Sequence, residues 1–237
     1  MTGPFATRLT ALFTKRPVPG LVKTRLTPPL TIEQAALLAD AMLRDTVARC
    51  VLGQFRTALV FAPSKDAIWF ATTFPELADQ RPQVGSELGE RMARFVADSF
   101  ARREATSLVL IGSDQPSVPL ERIHEAHRAL ELGDQCVLGP DSSGGYYLIG
   151  LSRNVPELFS NVPMSSEGMC TATEQVAQER GLRVKRLTEH LDVDVPADLE
   201  RLRNELCNRP TDEVSRSVDF PRHTLRVLAE LLPTQTI

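Results

Sequence analysis

The sequence predicts an α/β protein with a mainly parallel sheet and helices on both faces. Short apolar strand segments alternate with amphipathic helical ones, and the unusual residues fall in the loops that follow strands. Residues 9–14 read as the first strand and lead into a Pro/Gly-rich loop. Thr31 can cap a helix that runs to about Leu52, because Leu38, Met42 and Val47 recur at helical spacing. Residues 56–62 read as a second strand. The nearly all-apolar run 106–111 reads as a strand covered on both faces. Further strands are expected at 136–138, 146–149 and 183–187. Helices are expected at 65–72, 87–102, 119–132, 171–180 and 196–206. Residues 208–220 read as a linker and 221–232 as a last helix, giving one domain over 1–207 and a C-terminal appendage over 208–237.

Composition narrows the class. The 237 residues suit one α/β domain, and 42% hydrophobic with 24% charged residues is ordinary globular usage. A formal net charge of −3 argues against general nucleic-acid binding. No apolar run approaches the roughly 20 residues of a bilayer span, and the first residues are too few and too polar for a secretory signal. A cytoplasmic location is expected. Cys50, Cys136, Cys170 and Cys207 are scattered without metal-site spacing, and His124 and His127 read as a solvated helix surface.

The sharpest local imbalance lies at the start. No Asp or Glu occurs before Glu33, whereas Arg8, Lys15, Arg16, Lys23 and Arg25 are all basic. Two unit charges about 4 Å apart interact by roughly 4 kcal/mol at an effective dielectric near 20, so such a cluster calls for an anion. A phosphate chain suits it, with Arg25 able to fork two oxygens and Lys23 acting as a point charge. Pro17 and Pro19 stiffen this loop, and Gly20 lets backbone approach a ligand. The Walker spacing and the Gly-x-Gly-x-x-Gly pattern are both missing.

Carboxylates stand after other strands. Asp114 follows the buried strand 108–111, where a hard cation could bridge it to phosphate oxygens, or where it could simply make a turn. Asp192 and Asp194 precede a helix that Pro196 can open, and Asp198 suits its third position. Gly144 and Gly145 either admit a base or ribose to the backbone or form a hairpin turn.

The segment Phe13 to Leu26, with Lys23-Thr24-Arg25-Leu26 at its end, resembles the opening signature of a bacterial family of GT-A-type, nucleotide-diphospho-sugar-transferase-like proteins. That family was once a domain of unknown function, and some members are named arsenosugar-biosynthesis glycosyltransferases. Glu87-Leu-Gly-Glu-Arg91-Met92, Ile111-Gly-Ser-Asp114-Gln-Pro116, Gly144-Gly-Tyr-Tyr-Leu-Ile-Gly-Leu151 and Asp192 to Leu199 agree in order. The family is similar to phospholactate guanylyltransferase and the molybdenum-cofactor cytidylyltransferases. The resemblance implies a three-layer α/β/α sandwich with a mixed sheet, and a metal-dependent glycosyltransferase using a nucleotide-sugar donor. The alternative is a nucleotidyltransferase that joins a nucleoside triphosphate to a phosphorylated substrate and releases pyrophosphate. A third reading is a non-catalytic nucleotide-binding protein.

The site residues that the resemblance implies are specific. Lys23, Arg25 and Asp114 would carry catalysis. Lys15, Gly20, Lys23, Thr24, Arg25, Gly144 and Gly145 would bind phosphate or nucleotide, and Glu87, Arg91, Ser143 and Tyr146 would bind substrate. Asp114, Asp192 and Asp194 would hold Mg²⁺ or Mn²⁺. The expected partners are a nucleotide or nucleotide-sugar and a small acceptor, without nucleic acid or membrane; a homodimer is compatible. Two positions depart from the family pattern: Ser143 stands where an Asp is usual, and Met164 where a Trp is expected.

Overall fold

The computed structural model describes residues 7–164, 166–207 and 219–232. Its centre is a seven-stranded mixed sheet in the order β3-β2-β1-β4-β6-β5-β7. The strands are β1 (Arg8–Lys15), β2 (Thr57–Ala62), β3 (Asp79–Pro82), β4 (Ser107–Ile111), β5 (Cys136–Pro140), β6 (Tyr146–Leu151) and β7 (Val184–Arg186). All neighbours pair in parallel except β6, which runs antiparallel to both β4 and β5. The sheet is therefore mixed and mainly parallel, as expected.

The helices are α1 (Ile32–Leu52), α2 (Ala67–Thr73), α3 (Leu88–Ala101), α4 (Leu120–Glu131), α5 (Glu157–Ser160), α6 (Met169–Glu179), α7 (Pro196–Cys207) and α8 (Arg222–Leu231). They form the outer layers because strand side chains alternate between two cores. Leu9 and Ala11 of β1 meet Phe95 of α3, Phe159 of α5 and Cys170 of α6 on one face. Leu12 meets Leu43 of α1, Phe70 of α2 and Ile123 of α4 on the other. A third cluster joins Leu38 and Met42 of α1 to Leu202 of α7 and Leu228 of α8.

Helix α1 starts where the sequence indicates. Thr31 Oγ1 accepts the Gln34 N–H at 3.2 Å, and Gln34 Oε1 accepts the Thr31 N–H at 2.8 Å, closing a capping box. Further along, the buried Asp45 carboxylate accepts the N–H groups of His223 (3.0 Å) and Thr224 (2.7 Å), satisfying free donors at the start of α8. Buried Arg49 pairs with Asp219 at 2.8 Å and also donates to the Pro116 carbonyl, while Asp219 accepts the Leu120 N–H. The last helix is thereby tied to α1 and to the loop that follows β4. The expected linker lies outside the described residues as far as residue 218.

Two departures have plain causes. Strand β3 was not expected, because Asp-Gln-Arg-Pro has no apolar alternation; it is an edge strand, where polar residues and a terminal proline are tolerated. His127 is fully buried rather than solvated: its Nε2 lies 3.0 Å from Thr10 Oγ1 and its Nδ1 2.7 Å from Ser107 Oγ. Hydroxyls from β1 and β4 satisfy both ring nitrogens, which makes burial of the neutral ring tolerable.

Burial pushes the His127 pKa down to about 4, with the Arg8 charge acting in the same sense, Glu131 opposing and His124 adding to the fall. An unfolded histidine takes its proton near pH 6.5, so between about pH 6.5 and 4 the unfolded chain holds the extra proton. Stability due to this group therefore falls as pH drops through that window, by up to about 1.4 kcal/mol per pH unit. We expect an NMR titration to find the His127 ring neutral down to pH 5, and urea melts of His127→Asn to lose this part of the pH dependence.

Candidate functional site

Parallel pairing of β1 to β4 sends their following loops to one edge of the sheet, and the loop before β6 joins them there. The chain moves from β1 to β2 and β3 on one side, then returns to place β4 on the other side of β1. Between β1 and β4 the strand order reverses, and the loops after these two strands diverge to leave a crevice. The basic loop follows β1 and Asp114 follows β4. The two expected halves of the site therefore straddle the reversal.

A cavity of about 500 Å³ opens there, lined among others by Lys15, Lys23, Gln83, Ser86, Arg91 and Asp114. Val18 accepts the Leu21 N–H at 3.0 Å across Pro19 and Gly20, and Gly20 has φ 78°, so its glycine serves the turn directly. Lys23 then adopts φ 47°, a left-handed conformation that costs a non-glycine residue roughly 1 kcal/mol. Thr24 opens a short 3-10 turn over Thr24–Leu26, and fully buried Leu26 pins it against the core of α1, α7 and α8. The strained backbone aims Lys23 inward.

The Lys23 side chain is only 6% exposed, and its Nζ lies 2.9 Å from Asp114 Oδ2. Burial works against its charge, but Asp114, with Asp192 and Asp194 behind it, outweighs burial and holds the Lys23 pKa above the ordinary lysine value. Arg25 behaves differently. It is 68% exposed, pairs with Asp194, and does not line the cavity.

The acidic loops converge through hydrogen bonds. Asp192 Oδ1 accepts from Gln115 Nε2 at 3.0 Å, and Ser142 Oγ accepts the Asp192 N–H at 3.1 Å. A parallel bridge between Asp141 and His190 joins the loop before β6 to the segment after β7. Burial raises the Asp192 pKa above the ordinary aspartate value; Lys23 opposes this, and Asp141, Asp114 and Asp194 add to it. Asp198 caps α7, accepting the N–H groups of Asp194 and Val195 at 3.0 and 2.9 Å.

Asp114, Asp192 and Asp194 were expected as metal ligands. Among the described residues no group of three or more His, Cys, Asp or Glu is arranged to hold a metal. Lys23 pairs directly with Asp114, and Arg25 takes Asp194, so cations of the chain itself occupy two of the three. The donor chemistry still suits a hard cation. Asp114 is half exposed at the cavity, and Asp192 lies within the influence of Asp114, Asp141 and Asp194, while magnesium needs only one or two protein carboxylates beside phosphate oxygens.

The remaining expected residues separate. Arg91 lines the cavity and donates from Nε to the Gly85 carbonyl and from Nη2 to that of Ser86, both at 2.9 Å, which fixes the loop after β3. Glu87 lines a neighbouring cavity instead. Gly144 (φ 89°), Gly145 and Ser143 belong to the loop joining antiparallel β5 and β6 and do not line the first cavity. In that loop Asp141 accepts from the Ser143 N–H, the Ser143 hydroxyl and the Gly145 N–H. This loop thus keeps a carboxylate at 141 with serine at 143, and a second one at 143 would face it. Tyr146 is half-buried in the core, its hydroxyl 3.8 Å from Met164 Sδ, and burial raises its pKa. Asp141, Gln83 and Ser86 escaped the sequence reading. Only the Asp-x-x-Gly-Gly spacing signalled the first, and nothing signalled the other two.

The fold is that of nucleotide-diphospho-sugar-transferase-like proteins. The chain belongs to the family described as uncharacterized proteins conserved in bacteria (DUF2064), whose model matches residues 46–166. It is similar to a protein from Desulfovibrio desulfuricans G20 provisionally described as a nucleotide-diphospho-sugar transferase, at 26% identity and TM-score 0.80 over 95% of this chain and 98% of that one. The fold is also that of a 4-diphosphocytidyl-2C-methyl-D-erythritol synthase from Anaerococcus prevotii DSM 20548, at 13% identity, TM-score 0.55, and 85% and 97% coverage. A CMP:2-keto-3-deoxy-manno-octonic acid synthetase complexed with CTP shares it at 12% identity, TM-score 0.51, and 86% and 100% coverage. No curated protein matches the chain. Among the described residues no helix is long and apolar enough to cross a membrane.

A carboxyl whose folded pKa is raised contributes stability below its unfolded pKa and loses it as pH rises through the folded value. Ionised Asp192 therefore costs stability at neutral pH. Asp192→Asn keeps an oxygen for Gln115 and should raise the melting temperature of the ligand-free protein at pH 7. The gain should vanish below about pH 4, near the unfolded aspartate pKa; calorimetry at both pH values checks this.

Proposed function

We propose that the protein is a metal-dependent glycosyltransferase that takes a nucleoside diphosphate-sugar as donor. The observation that carries the reading is Lys23. It is a buried cation on a strained backbone at the reversal of strand order, in one cavity with Lys15 and Arg91. Among the described residues the cavity's three cations outnumber its one carboxylate, Asp114, so a diphosphate supplies the balancing charge, and fixed cations stabilise it most as the sugar departs. The similarity to the Desulfovibrio protein, provisionally described as a sugar-nucleotide transferase, supports the same class.

In this reading an acceptor hydroxyl oxygen bonds to the anomeric carbon and releases its proton to solvent. The carbon–oxygen bond to the diphosphate breaks, and its electron pair leaves on phosphate oxygen. Lys23 neutralises that charge, Lys15 and Arg91 hold the outer oxygens, and Asp114 orients Lys23. Bound Mg²⁺ or Mn²⁺, held by Asp114 and Asp192, would supply Lewis-acid stabilisation of the same oxygens. Nucleotidyl transfer is the second reading. Three cations around one cavity also suit a triphosphate, and the fold is shared with a synthetase solved with CTP.

Products separate the two. Incubation with nucleotide-sugars and nucleoside triphosphates in Mg²⁺ or Mn²⁺ should yield nucleoside diphosphate from a sugar donor; pyrophosphate from a triphosphate would transfer the assignment to the second reading. Lys23→Met should weaken nucleotide binding by about 1.5–3 kcal/mol, roughly 10- to 150-fold, as for other charge-assisted hydrogen bonds. Arg25→Ala should cost less, because Arg25 is mostly exposed and already paired. Titration calorimetry compares them, and equal losses would remove Lys23 from its central place.

A further inference from the structure

A second, open cavity of about 730 Å³ adjoins the first, and Ser86 and Leu88 line both. Its chemistry is the opposite of its neighbour's. Leu88, Pro156, Phe159, Val162, Pro163 and Met164 supply an apolar wall, Ser86 and Ser160 supply hydroxyls, and Glu87 and Glu90 are its charged residues. Among the described residues no Lys, Arg or His lines it. The floor is close-packed, since a Cβ on Gly89 would stand 2.6 Å from the Phe159 carbonyl oxygen and 3.1 Å from Met164 Cγ. Glycine at 89 is what lets α3 meet the 156–164 segment and shape this cavity.

The two carboxylates differ in availability. Glu90 Oε2 accepts the Ser86 N–H at 2.8 Å and its hydroxyl at 2.9 Å, and Oε1 pairs with Arg94 at 3.0 Å. Glu87 is exposed, caps nothing with its side chain, and has no ion pair among the described residues. A carboxylate with no ion pair among the described residues, next to an apolar wall, accepts a hydroxyl hydrogen well and disfavours an anion.

We propose that this second cavity is the acceptor site of the transferase, and that it takes an uncharged polyol or glycoside with Glu87 accepting a hydrogen bond from a hydroxyl. The inference rests on the glycosyl-transfer reading and narrows it, because a phosphorylated acceptor would bring its charge against Glu87. The aliphatic faces of sugar rings pack on the parts of this wall that reach solvent, Leu88, Pro163 and Met164. The shared wall of Ser86 and Leu88 puts the acceptor hydroxyl beside the donor.

The test uses the full chain saturated with whichever nucleoside diphosphate it binds. Matched pairs are offered to it: glucose and octyl β-glucoside against glucose 6-phosphate, and glycerol against glycerol 3-phosphate. Saturation-transfer NMR should show the neutral partner of a pair binding at least tenfold more tightly. Glu87→Lys should reverse that preference, and Ser160→Trp, at an exposed position on the far wall, should abolish neutral binding while leaving nucleotide affinity unchanged. Phosphate esters binding as well as their neutral partners, no binding by any member, or indifference to both variants would each overturn the proposal. Failure of every nucleotide to bind would instead overturn the transferase reading beneath it.

Discussion

Lys23 Nζ stands 2.9 Å from Asp114 because the sheet reverses its order between β1 and β4. The loops after these strands have to part, and the gap is bridged by this ion pair, buried at Lys23 and half exposed at Asp114, together with the Thr14–Ser113 hydroxyl contact at 3.2 Å. Much of the edge follows from that contact. The pair fixes the β1 loop against the β4 loop, and Asp192 and Asp194 add the charge that keeps Lys23 protonated despite its burial. A partly buried pair of this kind is weak evidence for stability, since desolvation of Lys23 offsets much of its Coulomb gain. Its position at the reversal and the left-handed backbone beneath it instead favour a part in ligand binding.

The helical layers serve the same edge at a distance. Helix α1 contributes to two cores, meeting the sheet through Leu43 and Val47 and meeting α7 and α8 through Leu38 and Met42. Its two buried charged residues, Asp45 and Arg49, hold the last helix and the segment just before it. Arg49 also reaches the Pro116 carbonyl, two residues beyond Asp114. The far end of the chain thus braces the loop that carries the site's central carboxylate. Such bracing matters because misplacing a charged group by about 1 Å can cost a large share of its effect.

The edge divides into two compartments of contrasting chemistry. Basic residues line one wall of the first cavity, whereas the second is apolar with acidic residues at its rim. Separating them takes a short piece of chain, the loop after β3 and the first turn of α3, where Arg91 secures backbone carbonyls and Glu90 secures Ser86. A small element can present opposite faces to two ligands when its backbone is held by its own side chains, as Arg91 and Glu90 hold it here.

Periodicity and position made much of this legible from sequence. Alternating apolar strands and amphipathic helices specified the layers, Thr31 marked the start of α1, and the acid-free stretch before Glu33 marked the basic loop. These signals are local, so they survive without a structure. Strand β3 escaped because an edge strand needs no apolar alternation, and His127 because its partners, Thr10 and Ser107, come from distant strands. Tertiary structure alone decided that Lys23 turns inward while Arg25, two residues on, turns out to Asp194. It also decided that Asp141 turns back to hold Ser143 and Gly145 of its own loop. The reason is physical: residue type sets what a side chain can do, but burial and partners depend on which strands lie side by side, and strand order is written in no single segment.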